Sequence, residues 1–159
     1  MLASFSGNAD LIGTLMHAGA RLDEKMLVLG MFPSSAIANA IGFGDLATVS
    51  ALLDAGADSN EADDAGFTLL YGAVVRNHTE VARLLIERGA KVNAVDGRGM
   101  TPLLYAASAD FGDCSMVDLL LKMGANPAAR TKEGLTAQDL ARKYGHTYLA
   151  ASFVSSSLR

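Results

Sequence analysis

The stretch TPLLYAASADFGDCSMVDLLLKMGAN, from Thr101 to Asn126, decides the fold because an earlier part of the chain repeats its pattern. The stretch TLLYGAVVRNHTEVARLLIERGAKVN, from Thr68 to Asn93, stands 33 residues before it. Both open with Thr and a leucine, carry a second apolar cluster, and close on a Gly-Ala pair. A fixed period of this size indicates an array of one supersecondary unit, so the period has to be established before any single residue is interpreted.

Two short motifs measure the period along the chain. The Gly-Ala pair recurs at gaps of 37, 33 and 35 residues, and the Ser or Thr that opens a unit recurs at gaps of 33, 33 and 35. The pairs begin at Gly19, Gly56, Gly89 and Gly124, and the openers are Ser35, Thr68, Thr101 and Thr136. The extra residues of the first gap fall between Gly19 and Ser35, where they indicate an insertion.

Each unit has the pattern of two short helices. Thr101 suits the N-cap of a helix whose first residue is Pro102, and a second helix carries the apolar residues between Met116 and Leu121. Gly124 ends that helix, as a residue able to adopt positive φ does. One pair of such helices cannot bury its leucines, but a stack of pairs can. The pattern therefore predicts an all-α solenoid of stacked helix-turn-helix units.

Composition narrows the classes of function. The chain has 159 residues, of which half are hydrophobic and 19% charged, with a net charge of -4. An acidic balance argues against nucleic acid as the partner, since phosphate binding needs clustered Lys and Arg. The single cysteine, Cys114, excludes an internal disulfide framework. The sequence has neither a signal-peptide pattern nor a membrane-spanning run, so we expect no membrane contact and compatibility with the cytoplasm. We also expect a monomer.

The repeated motifs resemble the ankyrin repeat, most closely over Asp63 to Asn93 and Asp96 to Asn126. The resemblance implies units joined by β-turn or hairpin-like loops, with about four full repeats and a partial one at the N-terminus. We expect one domain, 1–159, divided into a degenerate first repeat 1–23, repeats 33–60, 64–93, 97–128 and 132–154, and a tail 155–159.

The chain departs from the family pattern at three places. Ser35-Ala36-Ile37 stands where the family favours Thr-Pro-Leu, and Tyr71 stands where it usually has His, so that Tyr71 is a candidate for bonding a tip to a helix. The last unit begins with polar residues after Thr136, and its second helix is expected from Tyr148 to Val154. A polar outer face suits a terminal repeat.

No combination of residues predicts catalysis, a metal site or a cofactor. The three histidines lie in separate units without the spacing of metal ligands, and are expected to be structural: His17, His78 and His146. Cys114 stands at the start of a second helix, which can lower a thiol pKa, but no histidine lies nearby in sequence to act as its base. Asp63 and Asp96 are expected to order their turns, as the family uses this Asp.

Ankyrin arrays resemble one another in the surface that they use for binding. It is a concave surface made of the turn tips and the exposed side of the first helices. Carried over to matching positions, this implies a partner-binding set that spans three tips and two first helices: Asp64, Phe67, Arg76, Val95, Arg98, Met100, Tyr105, Ser108, Arg130, Lys132 and Leu135. Phe67, Met100 and Leu135 share one repeat position and should form a row, which either contacts a partner or packs on neighbouring tips. Charge also shifts along the array, from an acidic tip at Glu61–Asp64 to a more basic one at Arg130 and Lys132.

The insertion Leu22–Phe32 is too apolar for an ordinary tip. It can fold onto the first unit as a lid, or it can be a partner-binding loop. The sequence supports no choice beyond a preference for the lid, because a bare apolar patch invites aggregation.

Two functions follow from these expectations. The first is a non-catalytic protein–protein interaction module that binds a protein partner through its tips and concave face. The alternative is a targeting, regulatory or inhibitory domain of a larger protein whose activity lies outside this chain. An enzyme is not expected, because no nucleophile, base and orienting group can be assembled.

Overall fold

A computed structural model describes residues 26–28, 32–149 and 152–153 of the chain. Within these residues, two short strands, β1 (Met26–Val28) and β2 (Phe32–Ser34), precede seven α-helices and a turn of 3₁₀-helix. The helices are α1 (Ala36–Phe43), α2 (Leu46–Asp54), α3 (Leu69–Val75), α4 (Thr79–Glu87), α5 (Pro102–Ser108), α6 (Ser115–Lys122) and α7 (Ala137–Lys143), and the 3₁₀ turn is Thr147–Leu149.

The helices are stacked as repeating pairs. Unit A is α1 with α2, unit B is α3 with α4, unit C is α5 with α6, and unit D is α7 with the 3₁₀ turn; the two members of each unit pack together. First helices contact each other in the order α1, α3, α5, α7, and second helices in the order α2, α4, α6. This layout confirms the all-α repeat solenoid expected from the period. No helix in the described ranges has the length and apolarity needed to cross a bilayer.

The residues that open the units cap their first helices. The hydroxyls of Ser35 and Thr101 each accept a hydrogen bond, 3.3 Å long, from a backbone N–H in the first turn of the helix. Thr136 forms a complete capping box with Asp139, whose carboxylate accepts the Thr136 N–H at 3.0 Å. These bonds satisfy donors that a helix start leaves free. Thr68 is the exception, because its side chain makes no cap bond.

Small residues on the first helices and larger ones on the second explain the close stacking. Alanine occupies the same repeat position on α1, α3 and α5, where it is almost wholly buried, and leucine does so on α2, α4 and α6. These residues are Ala40, Ala73 and Ala106, at 0–1% exposure, and Leu52, Leu85 and Leu120, at 0–2%. Each helix pair thus shares its apolar flank with its neighbours, as a repeat array requires.

Asparagine side chains add a polar bond between successive units. The Asn60 amide nitrogen donates to the Gly89 carbonyl at 3.0 Å, and its oxygen accepts from the Lys91 N–H at 2.9 Å. Asn93 makes both bonds again one unit further along, at 3.0 and 2.8 Å. The same side chain thus registers the loop of each unit on the next.

The N-terminal insertion contains a two-stranded ribbon. β1 and β2 pair antiparallel, with Leu27 opposite Pro33. Their side chains, and the rest of the Leu22–Phe32 segment, lie outside the described residues, so both the lid and the binding loop stay predictions. The degenerate repeat at 1–23, with His17, also lies outside them.

The C-terminal unit differs from the expectation of a single helix over Tyr148–Val154. The described residues there form a 3₁₀ turn, Thr147–Leu149, and a helical pair at Ser152 and Phe153. Leu149 and Phe153 are 1% and 5% exposed, so both contribute to the core. The expected apolar contacts are made, although the local geometry is tighter.

Truncation of a stacked leucine tests this architecture. Leu85→Ala removes a side chain that is 0% exposed and lies at the centre of the second-helix layer. The free energy of unfolding should fall by about 2–5 kcal/mol, because a cavity is left behind. Leu46→Ala is the control: Leu46 is 42% exposed, and its change should stay within about 0.5 kcal/mol. Urea unfolding followed by circular dichroism measures both; equal losses would contradict the layered core.

Candidate functional site

The loops that precede the first helices are the tips of the array: tip B (61–67), tip C (94–100) and tip D (129–135). Asp63 Oδ1 accepts the backbone N–H groups of Ala65 and Phe67, at 2.9 and 2.8 Å, within tip B. Asp96 Oδ1 makes the same two bonds in tip C, at 2.9 and 2.8 Å. In tip D the hydroxyl of Thr131 takes this role, at 3.2 and 3.3 Å. The expectation that Asp63 and Asp96 order their turns is confirmed.

Backbone and side-chain bonds also join each tip to the next. The Gly97 N–H donates to the Ala65 carbonyl at 2.8 Å, and the Lys132 ammonium donates to the Gly97 carbonyl at 2.8 Å. A Cβ on Gly97 would lie 3.1 Å from the Ala65 oxygen, so glycine permits this close approach. The three tips therefore form one continuous edge.

Three aromatic rings support this edge where tips B and C meet their helices. Phe67 stacks on Tyr71 at 4.9 Å between ring centroids, and the Tyr105 ring is nearly perpendicular to both, at 5.8 and 5.3 Å. The Tyr71 hydroxyl lies 2.7 Å from the Ala94 carbonyl oxygen and 2.5 Å from that of Met100. Tyr71 thus bonds tip C to α3, as expected for a residue in the histidine slot.

The two tyrosine hydroxyls of this aromatic cluster are neutral at neutral pH. Burial, followed by the nearby Asp96 carboxylate, raises the pKa of the Tyr71 hydroxyl. Burial also raises the pKa of Tyr105, whose hydroxyl donates to Asp96 Oδ2 at 2.8 Å. Both hydroxyls stay protonated and serve as hydrogen-bond donors.

The predicted row of Phe67, Met100 and Leu135 is half-buried along the tips. Met100 and Leu135 pack against the core, and Phe67 against the two tyrosines. Its use by a partner stays a prediction. Val95, at 61% exposure, is the most open apolar residue of tip C, whereas Ser108 donates its hydroxyl to the Tyr105 carbonyl at 2.9 Å.

The acidic and basic tips differ in how their charges are used. In tip D, Arg130 donates to the Gly134 carbonyl at 2.6 Å, and Lys132 bonds to tip C. In tip B, the carboxylates of Glu61, Asp63 and Asp64 make no ion pair within the described part of the chain. Among the described residues, the carboxylates of tip B are therefore without an ion-pair partner, whereas the cations of tip D bond to backbone carbonyls.

A groove of about 590 Å³ runs between α1 and α3 and opens beside tip B. Glycine creates it: Gly72 of α3 stands at the repeat position that Tyr105 fills in the next unit, and Gly42 of α1 leaves a second gap. Val75, 50% exposed, borders the groove, and Glu61 and Asp63 lie at its tip end. Sequence reasoning named Arg76 but missed the groove, although the glycine in the tyrosine position was a usable signal.

Arg76 lies across the far end of this groove. A Cβ on Gly42 would lie 3.8 Å from Arg76 Nε and 3.9 Å from its Cζ and Nη2, so the guanidinium rests over the glycine. Near the tip end, the buried Thr68 hydroxyl has no hydrogen-bond partner among the described residues. The groove is therefore apolar along its floor and polar at both ends.

The two described histidines hold the packing together. His146 is buried, and its Nδ1 lies 3.0 Å from the Ala107 carbonyl oxygen of unit C. His78 lies against Gly44, where a Cβ would lie 2.8 Å from the imidazole Cε1 and φ is +70°. Within the described ranges, no three His, Cys, Asp or Glu side chains form a cluster able to hold a metal.

Cys114 does not have the environment of a nucleophile. A hydrogen bond to the Asp118 carboxylate, together with burial, raises the pKa of the thiol. The neutral thiol is therefore favoured over the reactive thiolate. The N-terminus of α6, which begins directly after Cys114, does not bring the pKa of this thiol below its usual value.

Comparison with known proteins identifies the repeat. Residues 1–96 match ankyrin repeats in three copies, and residues 98–132 match a further ankyrin repeat. Similar proteins include the palmitoyltransferase Hip14 of Drosophila melanogaster, 37% identical over 62% of this chain and 15% of that protein. An ankyrin repeat and LEM domain-containing protein 1 homolog of Caenorhabditis elegans is 47% identical over 47% of this chain and 11% of its own length.

A third relative, the E3 ubiquitin-protein ligase hecd-1 of Caenorhabditis elegans, is 39% identical over 61% of this chain and 4% of that protein. The chain thus spans less than a sixth of the length of each of these three relatives. The likeness concerns their ankyrin regions.

Removal of the Tyr71 hydroxyl tests the bond between tip C and α3. Tyr71→Phe leaves the carbonyls of Ala94 and Met100 without their donor, so the free energy of unfolding should fall by about 1–3 kcal/mol. Hydrogen exchange at the tip C amides should also accelerate. Tyr144→Phe, at a ring that is 52% exposed, is the control and should change neither quantity. Unaltered exchange in Tyr71→Phe would contradict the assigned role.

The reactivity of Cys114 tests its environment. Asp118→Asn removes the carboxylate that disfavours the thiolate, so folded protein carrying this change should react faster with iodoacetamide at pH 8 than the unmodified protein does. Glu87→Gln, at an exposed carboxylate on α4, should leave the rate unchanged. Equal rates for all three proteins would show that Asp118 does not set the thiol pKa.

Proposed function

Because this chain belongs to the ankyrin repeat family, whose repeats are protein-interaction modules, we propose that it binds an extended segment of a protein partner in the groove between α1 and α3. Tip B forms one wall of the site, and the concave edge of tips C and D extends it. The observation that carries this proposal is the groove itself, floored by glycine where the next unit has Tyr105.

The shape of the groove favours a polypeptide without side-chain bulk at its centre. Gly72 leaves the floor without a side chain, Gly42 lies beneath the Arg76 guanidinium, and Val75 gives an apolar border. Glycine is the residue that permits close approach of another backbone.

The bonded edge supports the same proposal through its rigidity. Asp63 fixes tip B, the Gly97 N–H ties tip B to tip C, and Tyr71 ties tip C to α3. A surface that is ordered before binding loses little conformational entropy when a partner docks. We therefore place the strongest contacts beside tip B and α3, at Asp64, Phe67 and Arg76.

The rest of the predicted partner-binding set lies further along the array. Tip C and α5 add contacts near the centre, and tip D adds cationic ones. The residues are Val95, Arg98, Met100, Tyr105 and Ser108, then Arg130, Lys132 and Leu135. We propose that they extend the interface instead of forming its core, since the two basic side chains of tip D already bond to tip backbone.

We also propose that this chain is non-catalytic, with no nucleic-acid partner and a monomeric state. The raised thiol pKa of Cys114 and the structural role of His146 support the first part. The role of a regulatory or targeting domain within a larger protein stays the second candidate. It is favoured by the small share of each relative that the match covers, 15%, 11% and 4%.

Filling the groove tests the proposal. Gly72→Tyr copies the side chain that the next unit carries at the same position, so the fold should tolerate it while the groove is occupied. Short peptides selected from a random phage-displayed library on the unmodified protein should bind Gly72→Tyr at least about tenfold more weakly, a loss of about 1.4 kcal/mol.

Ser115→Tyr adds the same bulk at an exposed residue of α6 and should leave peptide affinity unchanged. Fluorescence anisotropy measures the affinities, and circular dichroism checks that both variants are folded. Selected peptides that bind Gly72→Tyr as well as Ser115→Tyr would place the binding site elsewhere.

A further inference from the structure

The two ends of the groove carry opposite charge. Glu61 and Asp63 lie at the tip end, with Asp64 exposed beside them, and Arg76 lies at the far end on the C-terminal side of α3. The surface between them contributes no charged side chain among its described residues: it includes Ala38, Ile41, Gly42 and Gly72, with Val75 at the border. A bound segment would therefore meet a negative and then a positive field.

These charges are not neutralised inside the described part of the molecule. The ion pairs there join Arg83 to Glu80 and Arg88 to Asp54; these residues lie on the second helices or directly after them and do not line the groove. Asp63 Oδ1 accepts two backbone N–H groups, which orders the loop but adds no cation. The Arg76 guanidinium rests over Gly42, against an uncharged surface.

An occupant without charges would therefore be disfavoured. Covering the carboxylates at one end and the guanidinium at the other would strip water from them without giving a partner, and burying an unpaired charge is costly. A segment with a cation and an anion at matching positions compensates both ends and is oriented by the field. Phe67 lies at the tip end beside the carboxylates, where its ring can also receive a cationic side chain.

The length of α3 sets the spacing between the two charges of the partner. The backbone of Ala62, between Glu61 and Asp63, pairs with Thr68, and from Thr68 to Arg76 there are eight helical steps, which at 1.5 Å each cover about 12 Å along the backbone. An extended chain advances about 3.3 Å per residue, so this distance corresponds to roughly four residues. The residues between must be small or slender to lie over Gly72.

We infer that the occupant is an extended protein segment with an Arg or Lys and, about four residues away, an Asp or Glu, separated by small residues. The basic side chain lies at Glu61 and Asp63, and the acidic one at Arg76. This inference rests on the proposed binding role of the groove. It excludes nucleic acid here, since backbone phosphates would meet the carboxylates of tip B.

The test uses synthetic peptides with one basic and one acidic residue at varied spacing in a background of Gly and Ala. Those with a spacing of about four residues should bind best. Replacing their basic residue with Gln should weaken binding to the unmodified protein by about tenfold, as loss of a close charge pair does. The same replacement should have a smaller effect on the double variant E61Q/D64N, which removes two of the three tip B carboxylates and leaves Asp63 to order the loop.

Matched controls separate charge recognition from folding. Glu87→Gln and Arg142→Gln remove exposed charges outside the groove and should bind like the unmodified protein, whereas Arg76→Gln should lose its preference for the acidic residue. In E61K/D64K, the preference at the tip end should reverse toward an acidic peptide residue. A purely structural role of these residues would not produce this reversal.

The outcomes distinguish the two proposals. If peptides bind in a manner that Gly72→Tyr abolishes, but neither their charges nor those of Glu61, Asp64 and Arg76 affect affinity, the charge inference fails and the groove remains the binding site. If neither these peptides nor library-selected peptides show binding sensitive to Gly72→Tyr, the groove proposal fails, and the charge inference fails with it.

Discussion

The fold depends on the close contact of first helices through a column of alanines. Ala40, Ala73 and Ala106 are 0–1% exposed and lie at one repeat position on α1, α3 and α5. A larger side chain there would push the units apart and expose the leucines of the second helices, which no single unit can bury alone. The spacing of units in turn sets the reach between tips, so that the Gly97 N–H can bond to the Ala65 carbonyl. The spacing that the core alanines impose on the helices therefore also determines the geometry of the tip edge.

Sequence alone predicted most of the fold because its determinants are local. The N-cap residues Thr101 and Thr136 and the period of 33 to 35 residues are visible in the chain and directly fix helix starts and stacking. The hydrogen bonds that Asn60 and Asn93 make to the next unit were missed. The sequence position of an asparagine after a Gly-Ala pair does not indicate which carbonyl its side chain will contact one unit away. The geometry of the last unit was also only partly predicted, because the apolar pattern there does not distinguish an α-helix from the 3₁₀ turn at Thr147–Leu149, and such turns are common at helix ends.

The candidate site was harder to predict because it depends on missing side chains and on residues that are distant in sequence but close in the fold. Sequence reasoning selected side chains that stand out, such as Phe67 and Met100, and the structure places both half-buried against neighbours. The groove arises instead from two glycines that lie on different helices, 30 residues apart, at Gly42 and Gly72. Their combined effect becomes visible only when unit A and unit B are placed side by side. The comparison of Gly72 with Tyr105 in the next unit then shows that the repeat itself does not demand an open position there.

This contrast between units suggests how a repetitive scaffold gains a specific site. In unit C, Tyr105 stands at the position of Gly72 and donates its hydroxyl to Asp96. The space is therefore filled by a side chain, and the carboxylate has a hydrogen-bond donor within the protein. In unit B, glycine leaves the space open, and the carboxylates of tip B retain no ion-pair partner within the described residues. The same backbone thus supports a closed surface and an open, charged one at adjacent repeats. Since the core alanines are unchanged between the two units, this difference can be introduced without disturbing the stack, and specificity can vary along the array while its stability is maintained.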